Sequence, residues 1–372
     1  MTKWKITLWI PLLVVFGFLT LCKEEKAPTK TKNSMIITFV SGDVKIIRKE
    51  DSGATQEIPA KLGMLVYSSD IIKTEKGKVD LQAKTGSSIR IKEMTTLSIQ
   101  SLASESGGES NLNLDHGNMI ANVKKATKKE EFKVTTPTAI AGVRGTIFAV
   151  EVDPFEKTSS VKVLEGKVSL KPRIIALENT SKEDLEKKPE LQSIKKLEEK
   201  EVILEEKQEG KLNPEIEKKI VQINEKLEDT KTIQEVSKEL EKKEQSIIIV
   251  EKKEPSAELL IDKETMVTLK EEEYKQVEEG KNIDTIFPKK LEEKKINEEK
   301  ILKMIEENAN KKTLNSEKEI KQYYNKLEIV NLKNGKKITG AVIGQTEEIL
   351  IIHTTKGIVK INKNDVESQE FR

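Results

Sequence analysis

Residues 78–91 read KVDLQAKTGSSIRI, and the alternation of apolar and polar residues in this stretch predicts the fold class. Apolar and polar residues alternate from Lys78 to Lys84, the turn signal Thr85-Gly86-Ser87 follows, and the alternation resumes up to Ile91. A period of two residues is that of a strand with one buried face. The stretch therefore predicts two half-buried strands joined by a turn, with the intervening polar residues on the other face.

The same texture extends from Met35 to about Pro172, where short alternating segments are separated by turn residues. The apolar positions of these segments include Ile37, Val44, Val79, Ile89, Leu97, Leu112, Val134, the run Ile147 to Val152, Val161 and Val168. Each segment is too short to bury much surface by itself, so stability must come from the stacking of strands. We expect a mainly β domain over 35–172, built as an antiparallel or solenoid-like stack.

Several short motifs follow one another in this domain. They are VSGDV (40–44), LGM (62–64), SDIIKT (69–74), KTGSSIRI (84–91), LDHG (114–117), VTTP (134–137), GVRGT (142–146) and VKVLEGKV (161–168). In their order and spacing they resemble the periplasmic FecR-type domain. The resemblance implies a β-solenoid-like or sandwich fold that faces the periplasm and serves interaction rather than catalysis.

The motif Gly142-Val143-Arg144-Gly145-Thr146 is the most specific element of this resemblance. Paired glycines near the start of a strand indicate a bulge or a close approach of two backbones. The guanidinium of Arg144 offers five donors and is expected to lock the turn through backbone carbonyls, with contact to a ligand as the alternative. Glycines expected at turns that need a positive φ are Gly42, Gly86, Gly117 and Gly166.

The amino terminus predicts export. Lys3 and Lys5 precede an apolar run that ends at Leu21, and this run is shorter than the about 20 apolar residues of a membrane-spanning helix. Residues 1–21 are therefore interpreted as a secretory signal peptide.

Cys22 is the only cysteine, and it ends the tetrapeptide Leu19-Thr20-Leu21-Cys22. This tetrapeptide resembles a bacterial lipobox of the looser, spirochaete type, because Leu21 stands where a small residue is usual. The resemblance implies a lipoprotein with palmitate-containing lipid on Cys22 and a lipid-anchored tether over 22–34. An uncleaved signal anchor is the alternative, and both interpretations place the rest of the chain in the cell envelope, outside the cytoplasm.

The middle of the chain changes to a Lys/Glu-rich composition, which predicts a helical insertion over 178–245. Ile216, Ile220, Ile223 and Leu227 recur at helical spacing after the start signal Asn213-Pro214. Solvated helices that form an arm are one interpretation, and a helical surface that binds a partner is the other.

The residues after this insertion divide into three segments. Residues 246–270 read as extended and are expected to return to the β-domain, and a helical segment follows at 289–326. Residues 327–372 have a different texture, with Asn334-Gly335 as a hairpin signal. Their short strands predict a small barrel-like β-module, similar in shape to SH3- or Sm-like modules.

The composition excludes several classes of function. The 66 Lys+Arg balance 64 Asp+Glu (66 − 64 = +2), the lysines are interleaved with glutamates, and no stripe of one sign suits a nucleic acid. Two histidines and one cysteine leave little for a metal site or a triad. We expect no metal, no cofactor and no nucleic-acid partner, and an aromatic content of 4% argues against one large core.

Three functions remain open. One is a membrane-attached envelope lipoprotein whose β-domain contacts a protein or glycan partner. Another is a periplasmic sensor or regulatory subunit of a FecR-like system, although the five residues before Ile6 predict no cytoplasmic domain there. An enzyme is the third, and no phosphate-binding loop, Gly-x-Ser-x-Gly or His-Glu-x-x-His motif supports it.

Overall fold

The computed structural model describes residues 33–50, 52–104, 106–125, 130–178, 180, 189–225 and 246–372. The predicted signal peptide, Cys22 and nearly all of the predicted tether lie outside these ranges. The described chain is mainly β with some helices.

Residues 34–252 contribute strands to two sheets that share one long strand. The first sheet has the spatial order β4 (Leu65–Tyr67), β1 (Ser34–Ser41), β6 (Lys78–Ala83), β7 (Ser88–Ile91), β9 (Gly108–Asn122), β12 (Ile147–Val152), β13 (Ser159–Glu165), β16 (Gln208–Leu212) and β17 (Ile248–Lys252). The second has the order β3 (Thr55–Pro59), β2 (Val44–Lys49), β5 (Ile71–Thr74), β8 (Thr96–Ser101), β9, β10 (Glu130–Thr135), β11 (Ala139–Val143), β14 (Lys167–Pro172) and β15 (Val202–Glu205). The β9–β10 pair is parallel, and the other pairs of neighbours are antiparallel.

The inward faces of the two sheets form one core. Leu81 and Ile89 of the first sheet and Ile46 and Val168 of the second are fully buried in it. The helices α1 (Ile175–Glu178), α2 (Pro189–Glu198) and α3 (Pro214–Glu225) add apolar side chains, such as Ile220, to the same core. The period-two alternation of the sequence is thus the alternation between this core and the outer faces.

The helical prediction for 178–245 is only partly right. Helices are present at α2 and α3, but Val202–Glu205 and Gln208–Leu212 are strands that extend the two sheets. Free edges of β13 and β14 offer backbone hydrogen bonds to these residues, and such tertiary pairing overrides a helix-rich composition. The rest of the predicted insertion, at 181–188 and 226–245, lies outside the described residues.

Residues 246–270 combine two conformations. Strand β17 pairs with β16 and so belongs to the first sheet. The extended conformation expected farther along is wrong for α4 (Ala257–Thr265), which begins after Ser256, whose side-chain oxygen accepts a hydrogen bond from the Leu259 amide at 3.3 Å.

The remainder of the chain forms helices followed by a small sheet. The helices are α5 (Glu271–Glu278), α6 (Ile283–Asn310) and α7 (Glu317–Tyr324). The strands β18 (Glu328–Leu332), β19 (Lys337–Gln345), β20 (Ile349–Thr354), β21 (Gly357–Asn362) and β22 (Val366–Phe371) form a sheet in the order β21-β20-β19-β18-β22. The hairpin at Asn334-Gly335 is present, whereas the sheet is open and not a closed barrel, because β21 and β22 do not pair with each other.

Gly117 does not lie in a turn, as the sequence predicts, but within β9 where this strand passes from the second sheet to the first. Its φ is +94°, and a Cβ added there would lie 2.3 Å from Thr95 Oγ1 and 2.6 Å from the Met94 carbonyl oxygen. Glycine is therefore required for two reasons, the backbone angle and the close approach of Met94 and Thr95, which directly precede β8.

We expect Gly117→Ala to lower the free energy of unfolding by more than about 2 kcal/mol, because a clash with backbone adds to the strain of a positive φ. Gly335→Ala is the matched control, since its φ is +80° and no atom lies within 4 Å of an added Cβ. Urea denaturation followed by circular dichroism measures both. Equal losses for the two variants would contradict the steric argument.

Candidate interaction site

The outer face of the first sheet is covered by residues 256–372 of the same chain, which we call the carboxyl-terminal half. Asp80, Gln82 and Arg90 project from β6 and β7 on this face, and their exposed fractions are 0%, 4% and 0%. The sequence pattern places the polar side chains of these strands towards water, and the structure contradicts this. Residues 256–270 cross the sheet here and remove them from solvent.

Arg90 is the centre of the contact. Its Nε donates to Asp80 Oδ1 and its Nη2 to Asp80 Oδ2, each at 2.7 Å. The same guanidinium donates to the carbonyl and hydroxyl oxygens of Thr265, each at 2.8 Å, and to Asp262 Oδ1 at 3.2 Å. The planar guanidinium of Arg90 thus donates hydrogen bonds to a carboxylate on its own sheet and, at the same time, to acceptors at the end of α4.

Side chains of the first sheet bind the backbone of residues 266–270, which follow α4, in place of the backbone hydrogen bonds that a neighbouring strand would make. Gln82 Oε1 accepts from the Leu269 amide at 2.6 Å, and Gln82 Nε2 donates to the Leu269 carbonyl at 2.9 Å. The Val267 amide donates to Asp80 Oδ2 at 2.8 Å, and Thr38 Oγ1 donates to the Val267 carbonyl at 2.7 Å. Buried backbone groups of an irregular segment are therefore paired without a regular ladder.

The charges of this contact stabilise one another. Burial disfavours the charged form of Arg90, but Asp80 and Asp262 outweigh it and raise the pKa of the guanidinium. Burial likewise opposes ionisation of Asp262, but Lys92 and Arg90 hold its pKa below the ordinary value. The network is charged and internally neutralised over the ordinary pH range.

Two cavities follow the seam between the first sheet and the carboxyl-terminal half. One encloses about 370 Å³ and is lined by charged side chains that include Lys78, Lys92, Asp262 and Glu347. The other encloses about 300 Å³ between Phe39 and α6, and both cavities border Glu347. Polar pockets at such junctions can hold a small polar ligand or a peptide side chain.

The GVRGT motif lies elsewhere, between β11 and β12. Thr146 Oγ1 donates to the Lys167 carbonyl at 2.9 Å, and the Thr146 and Val123 backbones exchange hydrogen bonds. Val143 is buried, Gly145 has a φ of +68°, and Gly142 pairs within the sheet. These residues have structural contacts of the kind that the motif predicts.

Arg144 is the central residue of this motif. Its side chain is exposed, and it makes no hydrogen bond or ion pair with any residue in the described ranges. Among the described residues the contact that holds this turn runs through Thr146, and the lock by Arg144 stays a prediction. The alternative of a contact with another molecule stays open.

The remaining predicted glycines have positive φ, at +71° for Gly42, +85° for Gly86 and +86° for Gly166. At Gly42 an added Cβ would lie 2.0 Å from the Lys76 carbonyl oxygen. The β1–β2 and β5–β6 turns therefore pack with backbone against backbone. Lys78 directly follows the second of these turns and lies at the seam.

Sequence reasoning missed Arg90 and Asp80 as a functional pair, although one signal was available. The turn at Thr85-Gly86-Ser87 fixes the hairpin register, and Asp80 lies directly opposite Arg90 in it. Opposite charges at facing positions interact across strands. The partner that covers them is 172 residues away from Arg90, and no local pattern identifies it.

Among the described residues, no group of three or more His, Cys, Asp or Glu side chains is arranged to hold a metal ion. None of the helices in the same ranges combines the length and apolar character that a membrane span needs.

Comparison with known proteins identifies the β-domain. Residues 70–169 match the family model described as FecR protein, which confirms the resemblance drawn from the motifs. Two crystal structures of a candidate anti-sigma factor from Parabacteroides distasonis are similar at 16% and 15% identity, with TM-scores of 0.29 and 0.28. The matches cover 39% and 38% of this chain and 55% and 53% of theirs, so the chain spans about half the length of those proteins. Among curated proteins, no sequence matches.

We expect Asp80→Asn to lower the free energy of unfolding by about 3–5 kcal/mol, because it leaves the Arg90 charge buried without its main partner. Arg144→Ala is the matched control and should change it by less than about 0.5 kcal/mol, since that arginine is exposed. Urea denaturation of both variants is the measurement. A loss for Asp80→Asn no larger than the control's would contradict the role assigned to the pair.

Proposed function

Because residues 70–169 carry a FecR-type domain, we propose that this chain is a membrane-anchored envelope protein whose β-domain is a non-catalytic interaction module of a regulatory system. The family match carries the proposal, since FecR-type proteins are regulatory and associated with the envelope. The domain acts by presenting a rigid surface to a partner, and its cavities serve recognition rather than a reaction.

The exposed turns of the β-domain supply the partner surface. Arg144 lies free at the β11–β12 turn among the described residues, and its planar guanidinium suits a carboxylate or phosphate group of a partner. Phe155 is 90% exposed at the β12–β13 connection, where Asp153 Oδ1 accepts from the Phe155 and Glu156 amides at 2.7 Å each. Aromatic side chains are frequent anchors of protein interfaces, and the exposed Phe155 on a turn held by Asp153 suits that role.

The anchor is proposed to be lipid on Cys22. The apolar run before this residue and the lipobox-like Leu19-Thr20-Leu21-Cys22 support it, and residues 23–34 contain little that could pack. More than one acyl chain makes such an attachment lasting, because each buried methylene contributes about 0.8 kcal/mol. The β-domain would then work close to the membrane surface, facing the periplasm or the outside of the cell.

We expect Cys22→Ala to abolish incorporation of labelled palmitate and to release the protein from the membrane fraction, since no other cysteine can accept the lipid. Metabolic labelling followed by fractionation is the measurement. Gly335→Ala serves as the processing control, because it alters only an exposed turn. Labelling that persists in Cys22→Ala, or wild-type protein that is never labelled, would contradict the anchor.

We expect photo-crosslinkers placed beside Arg144 or Phe155 in intact cells to capture one envelope component, and Arg144→Glu to reduce the capture at least about tenfold through charge reversal. Lys333→Glu is the control, since Lys333 is exposed on the separate carboxyl-terminal sheet. Identification of the captured band by mass spectrometry separates a protein from a glycan partner. Equal capture by the two variants would contradict the proposed surface.

A further inference from the structure

The first described residues of the chain enter the β-domain at one end of its two sheets. Asn33 Nδ2 donates to the carbonyl of Leu102, which directly follows β8, at 2.8 Å. Met35 of β1 lies opposite Ala83, the last residue of β6, so the β6–β7 turn is next to the same place. We call this end of the β-domain, which carries the β6–β7 and β8–β9 turns, the entry end. A tether that precedes Asn33 joins the domain there.

Three exposed cations lie at the entry end. The Lys124 amide donates to Ser87 Oγ of the β6–β7 turn at 3.1 Å. Lys125 lies beside the β11–β12 turn, since a Cβ added at Gly145 would be 2.9 Å from its Cβ atom, and Arg144 directly precedes that glycine. The side chains of Lys124, Lys125 and Arg144 are exposed, and within the described ranges none of them forms an ion pair or a hydrogen bond. Their charges are therefore available to another molecule.

Most other charges of the entry end neutralise one another. The ion pairs join Lys133 to Glu109 and Glu131, Lys84 to Glu278, Lys167 to Glu205 and Lys263 to Glu165. Glu130 borders the same small recess as Lys124 and Arg144, and it makes no ion pair with a described residue. Three cations thus face one such carboxylate, and the entry end keeps an excess of positive charge.

We infer that the entry end lies against anionic lipid headgroups, with Lys124 and Lys125 as the contacts, so that the β-domain has one orientation on the membrane. The inference depends on the proposed lipid anchor at Cys22. The chain from Cys22 to Asn33 spans at most about 40 Å even when fully extended, so an anchored domain stays close to the headgroups. Residues 23–32 contain four lysines and two glutamates (4 − 2 = +2), so the sequence of the tether adds charge of the same sign.

The anchor favours lipid over an acidic protein as the occupant of this surface. Two lysines bind weakly to a partner that must come from solution, but an anchored domain meets the headgroups at a high effective concentration. A modest attraction between basic residues and an anionic surface is then enough to select which end of the domain faces the membrane.

This orientation has a consequence for the proposed partner surface. Arg144 lies beside Lys125, so a partner that contacts this arginine would meet it at the membrane surface. Phe155 lies at the opposite end of the domain, because β12 runs away from Arg144 towards it. The same orientation therefore turns the exposed aromatic side chain away from the lipid and leaves it accessible.

Quenching of a fluorophore by headgroup-labelled lipid measures which end of the domain lies near the membrane. The full chain with its lipid is reconstituted in vesicles of phosphatidylcholine alone, or with about one third phosphatidylglycerol. The fluorophore is attached through Ser106→Cys at the entry end or Glu156→Cys at the opposite end, since both positions are exposed and Cys22 carries the lipid. We expect quenching at position 106 to be at least about twofold stronger on the anionic vesicles, and quenching at position 156 to be no stronger.

Charge reversal and salt identify the cause of the difference. Lys124→Glu combined with Lys125→Glu should remove the difference at position 106, and Lys333→Glu combined with Lys336→Glu should keep it, because these two exposed lysines lie at the β18–β19 hairpin. Salt at about 1 M, where the Debye length is about 3 Å, should remove the difference in the unaltered lysine background.

The outcomes separate this inference from the anchor. Equal quenching at position 106 on both kinds of vesicle would overturn the inference and leave the lysines to an acidic protein. A difference that persists after reversal of Lys124 and Lys125 would overturn it as well. Flotation with the vesicles and the mass of the peptide that contains Cys22 report on the anchor. A chain without lipid refutes the anchor and this inference together, whereas a lipidated chain with equal quenching refutes this inference alone.

Discussion

The buried ion pair between Arg90 and Asp80 is the constraint on which the architecture depends. A guanidinium with no exposed surface is tolerated only when every donor has a partner, because an unpaired buried charge costs several kcal/mol. Asp80 supplies two of these partners, and the end of α4 supplies the others. The end of α4 therefore pairs the donors of Arg90 that Asp80 leaves over, and the carboxyl-terminal half completes this face of the first sheet.

This dependence has a consequence for the FecR-type domain. The residues that match the FecR family end at 169, yet one face of that domain is completed by residues about a hundred positions later. A conformational change in the carboxyl-terminal half would therefore alter hydrogen bonds to the domain directly, because Asp262, Thr265 and Leu269 bond to its side chains. The seam also contains the ion pairs of Glu347 with Lys78 and Lys294, which join the first sheet, α6 and the β19–β20 turn.

The local sequence pattern predicts most strands of the β-domain, but it predicts little of the contact around Arg90. The alternation in 78–91, the turn glycines and the family motifs are properties of neighbouring residues. The strands of 35–172 follow these signals except at Gly117, which is predicted in a turn and lies within β9. Val202 to Leu204, by contrast, lie in a helix-forming composition and form a strand because the edge of β14 offers them backbone hydrogen bonds. Arg144 is a motif residue with five donors, from which the sequence predicts a lock on the turn, and its side chain is exposed in the fold.

The β periodicity, the turn signals and the motifs of the FecR-type domain can be read from residues close together along the chain, and so can the predicted export signal. Which polar face is buried depends on the tertiary contacts. Asp80, Gln82 and Arg90 alternate with core residues as a solvated face would, and their partners are 172 to 187 residues away. A period-two pattern separates the two faces of a strand, but it does not show whether another segment packs against the polar face.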